Sequence, residues 1–464
     1  MMIDILEEHL EEASWLFDVR AHLLRSFHVD LPRLAEWDER WLAHVDGLVI
    51  GAEPARPIVE GGLTEGDDGA VCAAAAVLAC RGGGPDRERL EATLKDPAFT
   101  RTAPLVSGLS LTPAKGHEGW LASWIRSDAA ALRTAALEIA RFRGLSQPID
   151  LLRPLLRPRE QPKEVVVAAL RHAGSLKVIG CNACVETCLD APDDEVRWTA
   201  LEAAVLLGFR GAVDRFRAAV RNAAASAPPE VLERLGLLGG PDDLKILSVA
   251  LESPELAPAA LRGLGWLGQS GAAEPLLTKM ADKKVARLAG HSFSTIFGAD
   301  LEAAKLTARP PAEEASAPGA AEDNEESLDL DLYEGLPSPD PAAVTSWWKA
   351  NAARFARGTR WRAGQPFSPT APAATLRAGR LADRPAAALD LAVQVKEIPL
   401  LETRDLASNQ RRFIDRHLAT RFPIDDVARP GAPVVTNGAP AGRDRPGAVP
   451  ARARPAQDGA RRTP

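Results

Sequence analysis

The sequence predicts an all-α chain built as a solenoid of stacked helix pairs, and three observations carry that expectation. First, Leu132-Arg133-Thr134-Ala135-Ala136-Leu137-Glu138 recurs as Val196-Arg197-Trp198-Thr199-Ala200-Leu201-Glu202, and each run is followed at the same distance by a glycine, Gly144 or Gly208. Second, equivalent positions fall at Cys72, Thr102, Arg133, Val166, Arg197, Pro228, Ala257 and Ala286. The step of about 30 residues is the length of two short helices and two turns. Third, 464 residues with 46% hydrophobic and 26% charged side chains have ordinary globular composition but exceed what one compact core holds. A solenoid escapes that limit, because each unit buries its apolar face only against its neighbours.

Residues 1–66 read as an N-terminal helical cap. Ile5, Leu6, His9, Leu10, Ala13, Leu16, Phe17, Arg20, Leu23 and Leu24 follow helical spacing. A second helix is expected from Leu31 to Ile50, with Leu34, Trp37, Trp41, Leu42, Val45 and Leu48 as its apolar stripe. The pair would close the first open end of the stack, since a terminal unit needs a polar outer face.

Residues 67–308 read as the repeats. Asp193 or Asp194 can accept hydrogen bonds from the free N–H groups of the helix that begins there, and acidic charge suits the positive helix end. Ala200, Ala203 and Ala204 allow close approach of a neighbouring helix. Leu201, Val205 and Leu207 each supply about 1.5–3 kcal/mol when buried. Gly144 and Gly208 are placed to take the left-handed conformation that ends a helix. The run from Gly271 to Leu277 starts the second helix of its unit.

Residues 309–334 are an acidic linker: Glu313, Glu314, Glu322, Asp323, Glu325, Glu326, Asp329, Asp331 and Glu334 occur there with no Lys or Arg after Pro310. Such a stretch cannot bury enough apolar surface to fold alone. Residues 335–423 form a small C-terminal helical module, with helical runs from Ala371 to Ala382 and from Pro385 to Val395. Residues 424–464, rich in Pro, Gly, Ala and Arg, are expected to be disordered.

The net charge of −7 argues against a general nucleic-acid binder, which carries a basic stripe. Five cysteines, an odd count without a secreted-scaffold spacing, suit a reducing cytoplasm. The first residues lack the basic and apolar regions of a signal peptide. The longest apolar run, Ala70 to Cys80, is too short to cross a membrane. A cytoplasmic protein without a membrane segment is therefore expected.

The turn and helix start Asp193-Asp194-Glu195-Val196-Arg197 resemble HEAT-like repeat units of the phycobilisome-lyase type. Three longer segments are similar to a bacterial family of HEAT-repeat proteins that has no established activity. They are Asp38 to Leu48, Arg287 to Leu301, and Pro339 to Trp348 with Phe355, Gly358 and Gly364-Gln365-Pro366. Their order matches the family from the start of the chain to about residue 415. The resemblance implies a HEAT-like solenoid. Members of that family are often encoded near type VI secretion genes, which implies an accessory or adaptor role.

The motifs that suggest chemistry have plainer readings. Gly263-Leu264-Gly265-Trp266-Leu267-Gly268 matches the dinucleotide pattern, but a helical run precedes it where a strand is required, so close helix packing is expected. Cys181, Cys184 and Cys188 share one helix face near His172, but three thiols on one helix fall short of a four-ligand zinc site, and cysteine packs as a small apolar residue. His44 sits among Asp38, Arg40 and Asp46 as a polar or ion-pair cluster, and His291 has no acidic orienter nearby in sequence. No HExxH or GxSxG pattern occurs. Trp347, Trp348, Arg354 and Trp361 are the candidate partner-binding residues, being aromatic and basic together, although packing under the last repeat would also use the tryptophans.

The expected function is a non-enzymatic scaffold or adaptor that grips a protein partner along a concave face, without metal, cofactor or small-molecule substrate. A lyase or enzyme-assisting protein is one alternative and would need a reactive thiol. A nucleic-acid binder is the other and would need a basic groove. A central β-sheet, or a compact globule in which units far apart in the chain share a core, would remove the foundation of the scaffold reading.

Overall fold

The computed structural model describes residues 2–112, 117–223, 228–308, 331 and 333–423. The tail and nearly all of the acidic linker lie outside the described residues. Three helices open the chain: α1 (Met2–Leu23), α2 (Leu31–Ile50) and α3 (Ala52–Thr64). Then follow α4 (Asp68–Arg81), α5 (Gly84–Lys95), α6 (Thr102–Leu111), α7 (His117–Ile125), α8 (Ala130–Phe142), α9 (Ile149–Leu152), α10 (Lys163–Ser175), α11 (Asn182–Cys188) and α12 (Asp194–Leu206). The series continues with α13 (Ala212–Ala223), α14 (Pro229–Leu238), α15 (Leu244–Ala250), α16 (Ala257–Leu267), α17 (Ala273–Lys279) and α18 (Ala286–Phe297). The last part holds α19 (Pro341–Asn351), a hairpin of β1 (Trp361–Arg362) and β2 (Gln365–Pro366), α20 (Thr370–Ala378), α21 (Arg384–Gln394) and α22 (Ala407–Leu418). The fold is thus all-α apart from small strand pairings, and no helix among the described residues is long and apolar enough to cross a membrane.

Every position of the expected period lies in or beside the first turns of one of the helices α4, α6, α8, α10, α12, α14, α16 and α18. Capping explains several of these starts. The Asp67 carboxylate accepts from the Ala70 N–H at 2.8 Å, and that of Asp193 from the Val196 N–H at 3.1 Å. Gly144 and Gly208 have φ of 68° and 71°, the left-handed stop that their spacing suggested.

Helices α4, α6, α8, α10 and α12 pack each on the next, as do α14, α16 and α18, while α13 bridges α12 and α14. Helix α4 is buried on all faces from Gly69 to Ala79, because alanine after alanine lets α1, α2, α3 and α6 close on it together. Helix α3 was not anticipated. It contains Pro57, Gly61 and Gly62, poor helix formers, and is held by burial of Ala55, Val59 and Leu63.

The expectation of an N-terminal cap and a separate C-terminal module needs one correction. Besides the cap's contacts with α4, Leu23, Val29, Leu31 and Leu34 share a hydrophobic core with Leu376, Leu381, Leu391, Ile414, Leu418 and other module residues. Backbone bonds seal this joint: Leu381 N–H to Val29 O at 2.9 Å and Ala382 N–H to Ser26 O at 3.1 Å.

The module also runs along the C-terminal ends of the row, where helices leave carbonyls unsatisfied. Leu400 N–H donates to Ser175 O, Trp361 N–H to Gly268 O, and the N–H groups of Ala363 and Gly364 to Thr295 O and Ile296 O, at 2.7–3.0 Å. In the other direction, the Lys177 ammonium donates to Ala392 O, Val395 O and Lys396 O at the end of α21. Between these points, Arg141 pairs with Glu402 at 2.8 Å.

Candidate partner-binding surface

The four residues singled out as partner-binding lie where the module meets α18. Rings of Phe293 and Phe297 from α18 meet Trp347 and Trp348 from α19, with Phe293 to Trp347 at 5.7 Å and Phe297 to Trp348 at 4.6 Å. Phe355 continues the cluster to Trp361 at 5.1 Å. Such ring pairs add about 0.5–1.5 kcal/mol each beyond area burial. Trp361 is buried and donates its Nε1–H to Ala356 O at 3.1 Å. Trp347 and Trp348 are half-buried, and Arg354 is exposed, donating to Asn351 Oδ1 at 3.1 Å. The structure brings the three tryptophans together as packing, and leaves only Arg354 and the outer parts of Trp347 and Trp348 at the surface.

The neighbouring arginines are engaged within the fold. Arg360 pairs with Asp390 at 2.7 Å and also donates to Trp266 O. Arg362 is buried, donates to Trp266 O at 3.0 Å and lies 4.3 Å from the Trp266 ring centre. Burial first, then the Arg360 charge, pushes the Arg362 guanidinium down to about 9. These cations cap the end of α16 and offer no open basic platform.

The glycine motif is helix packing. A Cβ on Gly263 would lie 2.9 Å from Leu232 O, and one on Gly265 would lie 3.2 Å from the Ser292 Cα. These residues let α16 sit against α14 and α18. Of the three thiols, Cys181 and Cys188 are buried and Cys184 is half-buried. Burial pushes the Cys181 and Cys188 thiols up to about 11. Among the described residues, no group of three or more His, Cys, Asp or Glu side chains is arranged to hold a metal ion.

His172, on α10, is fully buried. Its Nδ1–H donates to Leu137 O at 3.3 Å, and Nε2 accepts from Gln147 N–H at 3.2 Å, which fixes a neutral ring. Burial, more than the opposing bond to Leu137 O, holds its pKa down to about 4. An unfolded histidine protonates near 6.5, so the stability supplied by neutral His172 is complete above that pH and drains away toward pH 4. The span corresponds to about 3 kcal/mol. Urea unfolding of wild type and His172→Asn should show that loss in the wild-type acid limb and a flatter limb in the variant.

Two polar partners were out of reach of local sequence. Asp38, read as a neighbour of His44, instead forms a buried pair with Arg20 at 2.7 Å. His291 finds its acid 92 residues away in Asp383, at 2.9 Å, with the Phe27 ring 4.8 Å off its other side. Burial alone would lower the His291 pKa, but the Asp383 carboxylate outweighs it and holds the ring above its ordinary value. Alternating aromatic and polar signals in one segment cannot reveal such pairings.

The most extensive open feature is a charge ladder across the row. Glu138 on α8 faces Arg171 on α10 at 3.8 Å, and Arg171 faces Glu195 on α12 at 3.6 Å. Glu202 on α12 pairs with Arg234 on α14 at 2.8 Å, and Glu233 on α14 with Arg262 on α16 at 2.7 Å. All of these side chains keep some solvent exposure, and Arg171 and Glu195 are half exposed. These pairs link α8, α10, α12, α14 and α16, with two residues taking part on α12 (Glu195 and Glu202) and two of opposite sign on α14 (Glu233 and Arg234). No known family model matches the chain, and no curated protein matches it.

Proposed function

We propose that the chain is a non-enzymatic, cytoplasmic scaffold or adaptor, a HEAT-like solenoid that holds a protein partner along the charge ladder of α8–α16. One observation carries the reading: partly exposed ion pairs link α8, α10, α12, α14 and α16. A row of such pairs suits a partner that carries charges of both signs. Each exposed pair adds little to stability, about 0–1 kcal/mol. The similarity to HEAT-repeat proteins encoded near type VI secretion genes extends the proposal to an accessory role in such a system.

The shared core of the two chain ends joins the cap to the module. Such a core between parts far apart in the chain counts against the scaffold, and the proposal rests on the ion pairs of α8–α16 alone. The lyase alternative loses two of its three candidate thiols, because burial keeps Cys181 and Cys188 protonated at neutral pH, while Cys184 is half-buried. The nucleic-acid alternative is disfavoured because the ladder pairs its cations with carboxylates and Arg360 and Arg362 are committed to Asp390 and Trp266 O.

The test is cross-linking capture from the source organism with the full chain and with Arg171→Glu/Arg234→Glu. The expected result is a defined partner whose retention falls at least about tenfold in the variant, while stability changes by under about 1 kcal/mol. A partner retained equally by both proteins would overturn the assignment of the surface.

A further inference from the structure

The pair His9 and His44 does nothing in the reading above, yet its geometry is specific. His9 lies on α1 and His44 on α2, and their Nδ1 atoms face each other at 3.0 Å. The rings are 5.1 Å apart and inclined at 70°, so their edges converge and do not stack. Gly47 makes the arrangement possible. A Cβ there would lie 2.7 Å from His9 Nε2, so the ring occupies the space a side chain would take. The carboxylates of Glu12 and Glu8 and the Arg40 guanidinium also act on the His44 ring electrostatically.

We propose that His9 and His44 form a two-imidazole site for a divalent transition-metal ion that prefers right-angled coordination, with Ni2+ as the type ion. Imidazole nitrogens bind such ions at about 2.0–2.1 Å. Two donors 3.0 Å apart then subtend about 90–95° at the metal. That is the angle between neighbouring positions of an octahedral or square-planar ion. A tetrahedral zinc angle would need the nitrogens about 3.4 Å apart. The ion takes the place of the proton that the two Nδ1 atoms share, and the ring that gives it up becomes the Nε2–H tautomer, so both rings stay neutral and no net proton is released. Water fills the remaining positions. Two protein donors make the site one of modest affinity, and hydrogen bonding between the imidazoles is the state without metal.

The probe is Ni2+ itself, titrated calorimetrically into the full chain after chelator treatment, with circular dichroism to follow the fold. One ion per chain is expected, bound more tightly than Zn2+. His44→Gln and His9→Gln should each weaken binding at least about tenfold. Gly47→Ala keeps both ligands but displaces the His9 ring, and should also weaken binding. No binding at millimolar Ni2+, or binding unchanged in both histidine variants, would overturn the site and would place any bound ion on the cysteines or other histidines.

Discussion

Asp38→Ala is expected to cost about 4 kcal/mol of stability, because it strands two buried donors from opposite ends of the chain. Asp38 Oδ1 accepts from Arg20 Nε–H at 2.7 Å, and Oδ2 accepts from Ala407 N–H, the first residue of α22, at 2.6 Å. Arg20 also donates to Asp405 O at 3.0 Å. Arg20 and Asp38 are both almost excluded from water. Truncation leaves the guanidinium without its carboxylate and opens the start of α22. Asp38→Asn, which retains one acceptor oxygen, should cost less. Urea denaturation followed by circular dichroism would measure both, and a cost for the alanine variant below about 1 kcal/mol would show that the joint between α2 and α22 contributes little.

Gly236→Ala should be nearly as damaging, at about 3 kcal/mol, despite adding a single methyl group. Gly236 on α14 faces Gly263 on α16 backbone to backbone, and an added Cβ would lie 2.5 Å from the Gly263 Cα and closer still to its carbonyl oxygen. No flexible side chain is there to give way, so the two helices must separate and loosen the core around Leu232 and Leu247. Gly61→Ala, where a Cβ would meet nothing within 4 Å, is the control and should be neutral or slightly stabilising. Thermal unfolding of the two variants side by side would test the contrast.

Local rules made much of the helical architecture legible. The aspartates at helix starts, the glycines at helix stops and the period of about 30 residues placed the starts of α4, α6, α8, α10, α12, α14, α16 and α18. The glycine motif and the cysteine run were readable as packing because Gly263 and Gly265 lie within α16 and Cys184 and Cys188 within α11. The rest depended on partners far away in sequence. Trp361 looks like a surface aromatic beside arginines until Phe355 and Ala356 O close over it. Arg20 reads as one more residue of an amphipathic helix until Asp38 and Asp405 O appear beside it. Nothing in residues 1–66 announces that Leu23, Val29, Leu31 and Leu34 will be covered by residues beyond 370, because an apolar stripe records the need for a partner and not its address.

That last joint governs how the chain is made. On the ribosome, Leu34 emerges some hundreds of residues before Leu418 and Phe422, which complete its surroundings. At about 5–20 residues per second, those leucines stay wet for roughly 20–80 s. The nascent protein thus carries a sticky, half-finished flank through nearly its whole synthesis, and chaperone demand should be highest for chains halted before residue 370.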